Sequence, residues 1–383
     1  MDTVQILLVG GRQAPNVIGV LMLRPAQIEL LVSKDERNKI NILLESLMEI
    51  ESLKLPEEED IQEVDAYDFQ SNVAALKQIC GRHKDKEIQF NLTGSTKIMA
   101  IAAYEVAREE DISSFYVNTS GNRILWLTGS QDKSIQLTSL NVSDYLNIFG
   151  RKALYKFNFK NISFNREQAL QAATILGKNA VESRNMLQKI RIQQVKGNSG
   201  LQIPLSDFNE NERDILKALR DIKALDIIDD SVILRSSNDF EFFKGDWLEI
   251  FVFNEASSLK NKNGTSVFNS CAFSLRIPMS AAEKEIDVAC MFEAQLIHCS
   301  CKTDRDPFKT LYLDELRSVS SMIGGRFCSR IFVTNAVFPD QNKQRQFLEQ
   351  AKQREIVVVT GNELGKIGEI LFRQAANPDY RRV

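Results

Sequence analysis

NLTGSTKIMA, residues 91–100, joins two patterns that belong to different elements. Before it, KEIQF alternates as a strand does; after it, IMAIAAYEVAREE places Ala and Ile on one face of a helix. Thr93, Gly94, Ser95, Thr96 and Lys97 therefore sit where a buried strand turns into a helix. Gly94 lets a ligand approach the backbone, the hydroxyls of Thr93, Ser95 and Thr96 offer donors, and Lys97 adds a point charge. A helix starting near Thr96 aims its N–H groups and positive dipole end at an anion. Service as a helix N-cap explains one hydroxyl. It does not explain three hydroxyls, a lysine and a second turn of similar kind. That second turn is LVGGRQAPN, after the first strand, where Gly10, Gly11, Arg12, Gln13 and Asn16 can cap the opposite side of a phosphate.

Outward from this junction, the first ~150 residues alternate strand and helix, as in a mostly parallel sheet covered on both faces. Strands are expected at VQILLVG, IELLVS, EVDAYD, EIQFNL, SSFYVN and RILWLTG, and helices at DERNKINILLESLMEI and FQSNVAALKQICGRH. The layout is Rossmann-like, and in such sheets ligands bind beyond the carboxyl ends of the strands where strand order switches. GGRQAPNVIGV contains no GxGxxG, and no acid is placed for a ribose, so a nicotinamide oxidoreductase is disfavoured.

Composition sets the outer bounds. The chain has 383 residues, room for two or three domains, with 43% hydrophobic and 26% charged residues. No apolar run approaches the ~18 residues of a membrane helix, and MDTVQILLVGG reads as a first strand, not a signal peptide. Six scattered cysteines suit free thiols in a reducing cytoplasm, and two histidines, His83 and His298, disfavour a multi-histidine metal site or a serine-hydrolase triad. The net charge of −3 conceals asymmetry: EEEDIQEVD carries six acids, whereas Arg151 to Lys196 holds ten Lys/Arg against two Glu. A basic face for a phosphate backbone and an exposed helix with a cationic side both account for the second count.

Residues 151–238 form a helical unit. NREQALQAATILGKNAVESRNMLQKIR is helical, KGNSG a flexible break, and SDFNENERDILKALRDIKALDIIDDSVILRSS gives helix, helix, turn and strand. The pattern resembles a winged-helix module, either as a connector or as a DNA reader. From residue 239 to 383 an α/β pattern resumes: FKGDWLEIFVFNEAS as helix, FNSCAFSLRIPM, EIDVACMF and QLIHCSCKT as strands, then helix, RIFVTN, helix and EIVVVTG. Glu285 and Asp287 lie two apart on one strand, hence on one face, and Ser300 and Lys302 do the same on its neighbour. With Glu249 on the preceding helix, the carboxylates can hold Mg²⁺ or Mn²⁺ and an attacking water, and Lys302 can orient that water or stabilise developing charge. HCSC puts Cys299 and Cys301 on one strand face and His298 on the other, a spacing that suits buried thiols better than zinc.

NLTGSTK is similar to the ligand loop of the CRISPR-associated Rossmann-like (CARF) sensor domains, with Ser95 where a second glycine is common. GDWLE…EIDV…CKT resembles the PD-(D/E)xK nucleases. Over essentially its whole length the chain resembles the CARF-fused ancillary nucleases of type III CRISPR systems. The resemblance implies a 1–150 sensor for a cyclic oligoadenylate, most often cyclic tetraadenylate. It implies a homodimer whose two-fold axis matches the ring, a 151–238 connector, and a 239–383 metal-dependent endonuclease. The implied ligand contacts are Asn91, Thr93, Gly94, Ser95, Thr96 and Lys97 with Gly10, Gly11, Arg12, Gln13 and Asn16. The implied catalytic set is Glu249, Glu285, Asp287 and Lys302. The expected substrate is single-stranded DNA or RNA, with nicking of supercoiled DNA, in antiviral defence. Ser300 occupies the position where the family usually has an acid, so metal binding leans on Glu249, Glu285, Asp287 and the carbonyl of Cys301. A ligand-controlled transcription regulator with a silent C-terminal domain is the competing reading.

Overall fold

The structure is a computed structural model that describes residues 2–376 apart from 12, 49, 119–122, 130–133, 137–139, 156, 194–200, 279–282 and 325–327. It divides into two units, Met1–Lys152 and Ala153–Val383.

The first unit runs β1 (Thr3–Val9), α1 (Ala14–Leu23), β2 (Gln27–Ser33), α2 (Ile40–Leu47), β3 (Gln62–Val64), α3 (Phe69–Arg82), β4 (Glu87–Asn91), α4 (Lys97–Glu109), β5 (Ser113–Asn118), β6 (Arg123–Thr128), β7 (Ile135–Gln136) and α5 (Val142–Ile148). Its seven-stranded sheet has the order β3-β2-β1-β4-β5-β6-β7. β1 pairs in parallel with both β2 and β4, so the direction of winding reverses between β1 and β4. The crevice at their carboxyl ends is where a doubly wound sheet binds ligands. β1 is apolar on both faces because helices cover both, and Val4, Ile6, Leu7, Leu8 and Val9 are at most 1% exposed. Burying each such side chain contributes roughly 1.5–3 kcal/mol. β6 runs antiparallel to β5, and β7, antiparallel to β6, forms that edge.

Two local expectations changed. EVDAYD yields only Gln62–Val64 as strand, because Asp65 turns the chain through its side chain (Tyr67 N to Oδ1, 2.8 Å) and Asp68 then caps α3 through Ser71 N at 3.0 Å. DERNKINILLESLMEI opens as a 3₁₀ turn, Lys34–Lys39, before α2 begins.

The second unit contains β8 (Leu154–Tyr155), α6 (Arg166–Lys178), α7 (Ala180–Arg191), β9 (Leu201–Pro204), α8 (Glu210–Asp221), β10 (Asp226–Ile228), β11 (Ser231–Leu234), α9 (Ser237–Glu241), α10 (Trp247–Ser258), β12 (Ser270–Ile277), β13 (Lys284–Phe292), β14 (Gln295–Lys302), α11 (Thr310–Ile323), β15 (Ser329–Thr334), α12 (Gln341–Gln353), β16 (Ile356–Val359) and α13 (Ile367–Ala376). A small antiparallel sheet, β10-β11-β9, stands beside α6 to α8, and a six-stranded mixed sheet has the order β16-β15-β14-β13-β12-β8. The long stretch 165–191 breaks into two helices at Asn179. The second helix expected after α8 is absent: Lys223 adopts φ 62, ends the helix, and DII becomes β10. The KGNSG segment lies outside the described residues.

One apolar core unites the small helical part with the large sheet, running from Ile162 and Phe164 through Trp247 and Phe251 to Ile297, Val333 and Leu371. Gly177 is needed in it, since a Cβ there would meet the Phe251 ring at 2.5 Å. Between α9 and α10 the helix widens into a π turn, Phe242–Asp246, a local feature frequent beside functional sites. Among the described residues, no helix is long and apolar enough to cross a membrane.

Candidate functional sites

At the end of β1 and β4 the two glycine turns meet. Gly10 N donates to Gly94 O at 3.0 Å, and a Cβ on Gly10 would lie 2.8 Å from Thr96 N and 3.1 Å from Ser95 Cα. Gly11 has φ +143, open to glycine at little cost. Asn91 is fully buried, donates to Pro15 O at 3.0 Å and accepts from Thr93 N at 3.1 Å, so it ties the end of β4 to the start of α1. Asn16 is also buried and donates to Leu8 O at 3.0 Å. Both asparagines therefore shape the crevice from behind.

The three hydroxyls are busy too. Thr93 Oγ1 accepts from Val117 N at 2.7 Å, Ser95 Oγ donates to Leu92 O at 3.3 Å, and Thr96 Oγ1 donates to Ala66 O at 3.1 Å while capping Met99 N at 3.3 Å. Only the Thr93 hydroxyl keeps its proton for a ligand. The donors left at the start of α4 are instead the amides of Lys97 and Ile98, since Thr96 already caps Met99 N. Lys97 is exposed at that turn, Gln13 is half-buried at the start of α1, and Arg12 lies outside the described residues.

In the second unit, Glu249, Glu285 and Asp287 each bring a carboxylate oxygen within 4.8 Å of the others. Among the described residues this is the His/Cys/Asp/Glu group gathered tightly enough to hold a metal ion. α10 supplies Glu249 and β13 the other two. Asp287 is 5% exposed, and its Oδ2 accepts from Cys301 N at 2.6 Å, Lys302 Nζ at 3.1 Å and Ser300 Oγ at 3.2 Å. Ser300 is thus a donor to the central carboxylate where an acid was the family expectation. Cys301 meets Asp287 through its amide. Burial opposes the charge on Lys302, but the facing Asp287 carboxylate and their hydrogen bond prevail and raise its pKa, so it is an ammonium at neutral pH.

Burial raises the thiol pKa of Cys299 and, helped by Asp287 and Glu249, of Cys301, and neither thiol belongs to the described group gathered closely enough to hold a metal ion. His298 is 2% exposed, its Nδ1 lies 2.9 Å from Ser320 Oγ, and burial lowers its pKa to about 4. The unfolded chain binds a proton near 6.5, so the stability that neutral His298 contributes is full above that value and is lost as pH falls towards about 4. Roughly 3 kcal/mol is at stake. Thermal melts from pH 7.5 to 4 are expected to show a steeper acid-side loss for the parent than for His298→Asn; equal slopes would rule the effect out.

Sequence reasoning missed several neighbours. Ser274 has φ 51 between Phe273 and Leu275, which pair with Val288 and Ile286 on either side of Asp287. The Tyr312 ring lies 5.7 Å from Lys302 Nζ, and its hydroxyl donates to Asp304 at 2.6 Å. No local pattern marks these residues, because each reaches the site from another element.

The paired glycine turns on one unit and the carboxylate–lysine cluster on the other are the two candidate sites. A family model described as Card1 CARF domain matches residues 4–145, and one described as Card1-like, endonuclease domain matches residues 237–377. The chain thus carries a domain of each family, a CARF domain followed by a Card1-like endonuclease domain. Its fold is similar to protein VC1899 from Vibrio cholerae (TM-score 0.82, 17% identity, 99% of this chain and 100% of that one). It is also similar to Can2 from Sulfobacillus thermosulfidooxidans, solved in complex with cyclic tetra-adenylate (0.73, 17%, 97% and 99%). A type III CRISPR defence DNA nuclease activated by cyclic oligoadenylate is a more distant likeness (0.53, 13%, 86% and 45%). A comparison with curated proteins finds no match.

Proposed function

We propose that the protein is a homodimeric, cytoplasmic endonuclease of type III CRISPR antiviral defence, switched on by cyclic tetraadenylate and dependent on Mn²⁺ or Mg²⁺. The observation that carries the reading is the convergence of Glu249, Glu285 and Asp287 within 4.8 Å, with Lys302 on the same carboxylate. Oxygen ligands at that spacing suit a hard divalent cation, with the Cys301 carbonyl as a further ligand. The chemistry it would supply there is polarisation of a phosphodiester and a lowered pKa for the attacking water. Lys302, kept charged by Asp287, would present an ammonium proton to the attacking oxygen or to the charge growing on the phosphoryl oxygens.

At the sensor, ligand phosphates would take the amides at the start of α4, the Thr93 hydroxyl, Lys97 and the Gly10–Gly11–Arg12 turn. A ring with two-fold symmetry engages two such crevices, so the ligand favours whichever dimer arrangement brings both to it. Ser300 serves Asp287 by one long hydroxyl hydrogen bond, at 3.2 Å. Ser300→Ala is therefore expected to slow cleavage by about tenfold or less, measured as kcat on labelled single-stranded DNA.

The regulator reading loses support from the middle unit. Arg184 and Arg191, prominent in its basic stretch, donate to backbone carbonyls of residues 303–305, and Lys189 pairs with Glu212 at 2.6 Å. The deciding experiment incubates labelled single-stranded DNA and RNA with Mn²⁺, with and without cyclic tetraadenylate, beside a promoter-fragment gel shift. Ligand-dependent cleavage supports the nuclease; a salt-sensitive shift without cleavage supports the regulator.

A further inference from the structure

α7 lies outside the carboxylate cluster, yet one of its faces is committed to the turn that follows Lys302. Arg184, Gln188 and Arg191 fall on that face at helical spacing. Arg191 Nη1 and Gln188 Nε2 both donate to Thr303 O, at 2.7 and 3.1 Å. Arg184 Nη2 donates to Asp304 O at 3.2 Å and Arg305 O at 2.9 Å, and its Nη1 to Asn335 Oδ1 at 3.0 Å. Consecutive carbonyls of the turn are thus held by guanidinium groups from one helix.

Two routes lead from that grip to the ammonium. The first is covalent, since Thr303 adjoins Lys302, and Thr303 Oγ1 also donates to Lys244 O at 3.0 Å, in the π turn that precedes Glu249. The second runs through Asp304: Arg191 lies 3.8 Å from its carboxylate, Tyr312 Oη donates to it at 2.6 Å, and the Tyr312 ring faces Lys302 Nζ at 5.7 Å. Lys302 is thereby held between Asp287 and an aromatic face, with a side chain 22% exposed.

We infer that α7 is a positioning element of the nuclease site, with Arg191 and Tyr312 fixing where the Lys302 ammonium stands. The inference rests on the nuclease reading for its effect on rate. Arg191 acts through the 303–304 turn, and Tyr312 through the Asp304 carboxylate and through its own ring beside Lys302 Nζ. Misplacement of a reacting group by about 1 Å can cost as much as ~100-fold in rate, so a loosened turn should act on kcat.

The test uses the full-length protein with Mn²⁺, cyclic tetraadenylate and labelled single-stranded DNA, comparing Arg191→Ala, Arg191→Lys and Tyr312→Phe with the parent. Arg191→Ala is expected to lower kcat about tenfold or more with KM within about twofold, and Arg191→Lys to recover part of the loss. Tyr312→Phe keeps the ring, loses the bond to Asp304 and falls between them; it also serves if Arg191→Ala fails to fold. A raised KM at unchanged kcat would make Arg191 a nucleic-acid contact, and unchanged kinetics would make α7 a passive support; either overturns the inference. Labelling of Lys302 by acetic anhydride, followed by mass spectrometry, reads the same grip without cleavage. It is expected to accelerate in Arg191→Ala and to stay at the parental rate in Arg220→Ala, on α8; equal rates in all three sink the inference. If the parent itself cleaves nothing, the nuclease reading fails, and the labelling still decides whether α7 holds Lys302.

Discussion

Asp287→Ala is expected to abolish ligand-stimulated cleavage, by at least about three orders of magnitude, while cyclic tetraadenylate binds with parental affinity. Oδ2 of this residue is the point on which Cys301 N, Lys302 Nζ and Ser300 Oγ converge, and its carboxylate belongs to the cluster that would hold the cation. Its removal takes away a metal ligand and unseats the lysine together. Cooperating groups lost together cost about as much as the whole machinery they form. Alanine also leaves a largely buried ammonium without its partner, and breaking such a pair costs about 3–5 kcal/mol, so the variant should melt earlier. Asp287→Asn separates the two effects. It keeps an oxygen for the Cys301 amide, should fold more nearly like the parent, and should be just as inactive. Substantial turnover by the asparagine variant would show that the centre lies elsewhere.

Gly10→Ala carries the second large effect, at the other end of the chain. The added methyl would stand 2.8 Å from Thr96 N and 3.1 Å from Ser95 Cα, both backbone atoms, so the two turns must part. Parting them breaks the Gly10 N–Gly94 O bond and re-aims the amides at the start of α4. Charge-assisted hydrogen bonds contribute about 1.5–3 kcal/mol each, and losing two should weaken cyclic tetraadenylate binding about 100-fold. Gly81→Ala on α3 is the matched control, since nothing stands within 4 Å of its Cβ position. Calorimetric titration distinguishes them; equal affinities for both variants would remove the crevice from consideration.

How far the sequence could be read follows from how local each signal is. β1 was visible as an apolar run and β4 as an alternating strand, each ending in a glycine turn, and the sheet order then brings those turns together. The pair Glu285 and Asp287 was visible through the two-residue period of a strand. That one of these hydroxyls caps α4 was legible, whereas the bonds Ser95 and Thr96 donate, to Leu92 O and Ala66 O, were hidden because they depend on how the β3–α3 and β4–α4 turns fold. The basic stretch after residue 150 misled for a similar reason. Composition counts Arg184 and Arg191 as charge for a solvent-facing surface, whereas their guanidinium groups meet carbonyls more than 110 positions away. Tyr312 and Ser274 carry no pattern of their own and become readable only once β12, β13, β14 and α11 are assembled.

The coupling expected here is control of the cluster by the crevice. Its most direct test is the single-turnover rate of labelled single-stranded DNA cleavage in Mn²⁺ as cyclic tetraadenylate is titrated in. The rate should rise from near zero and saturate at one ring per two chains, with the curve displaced to higher ligand in Gly10→Ala and flat in Asp287→Asn. A parental rate that is the same with and without ligand would contradict the coupling of the two sites.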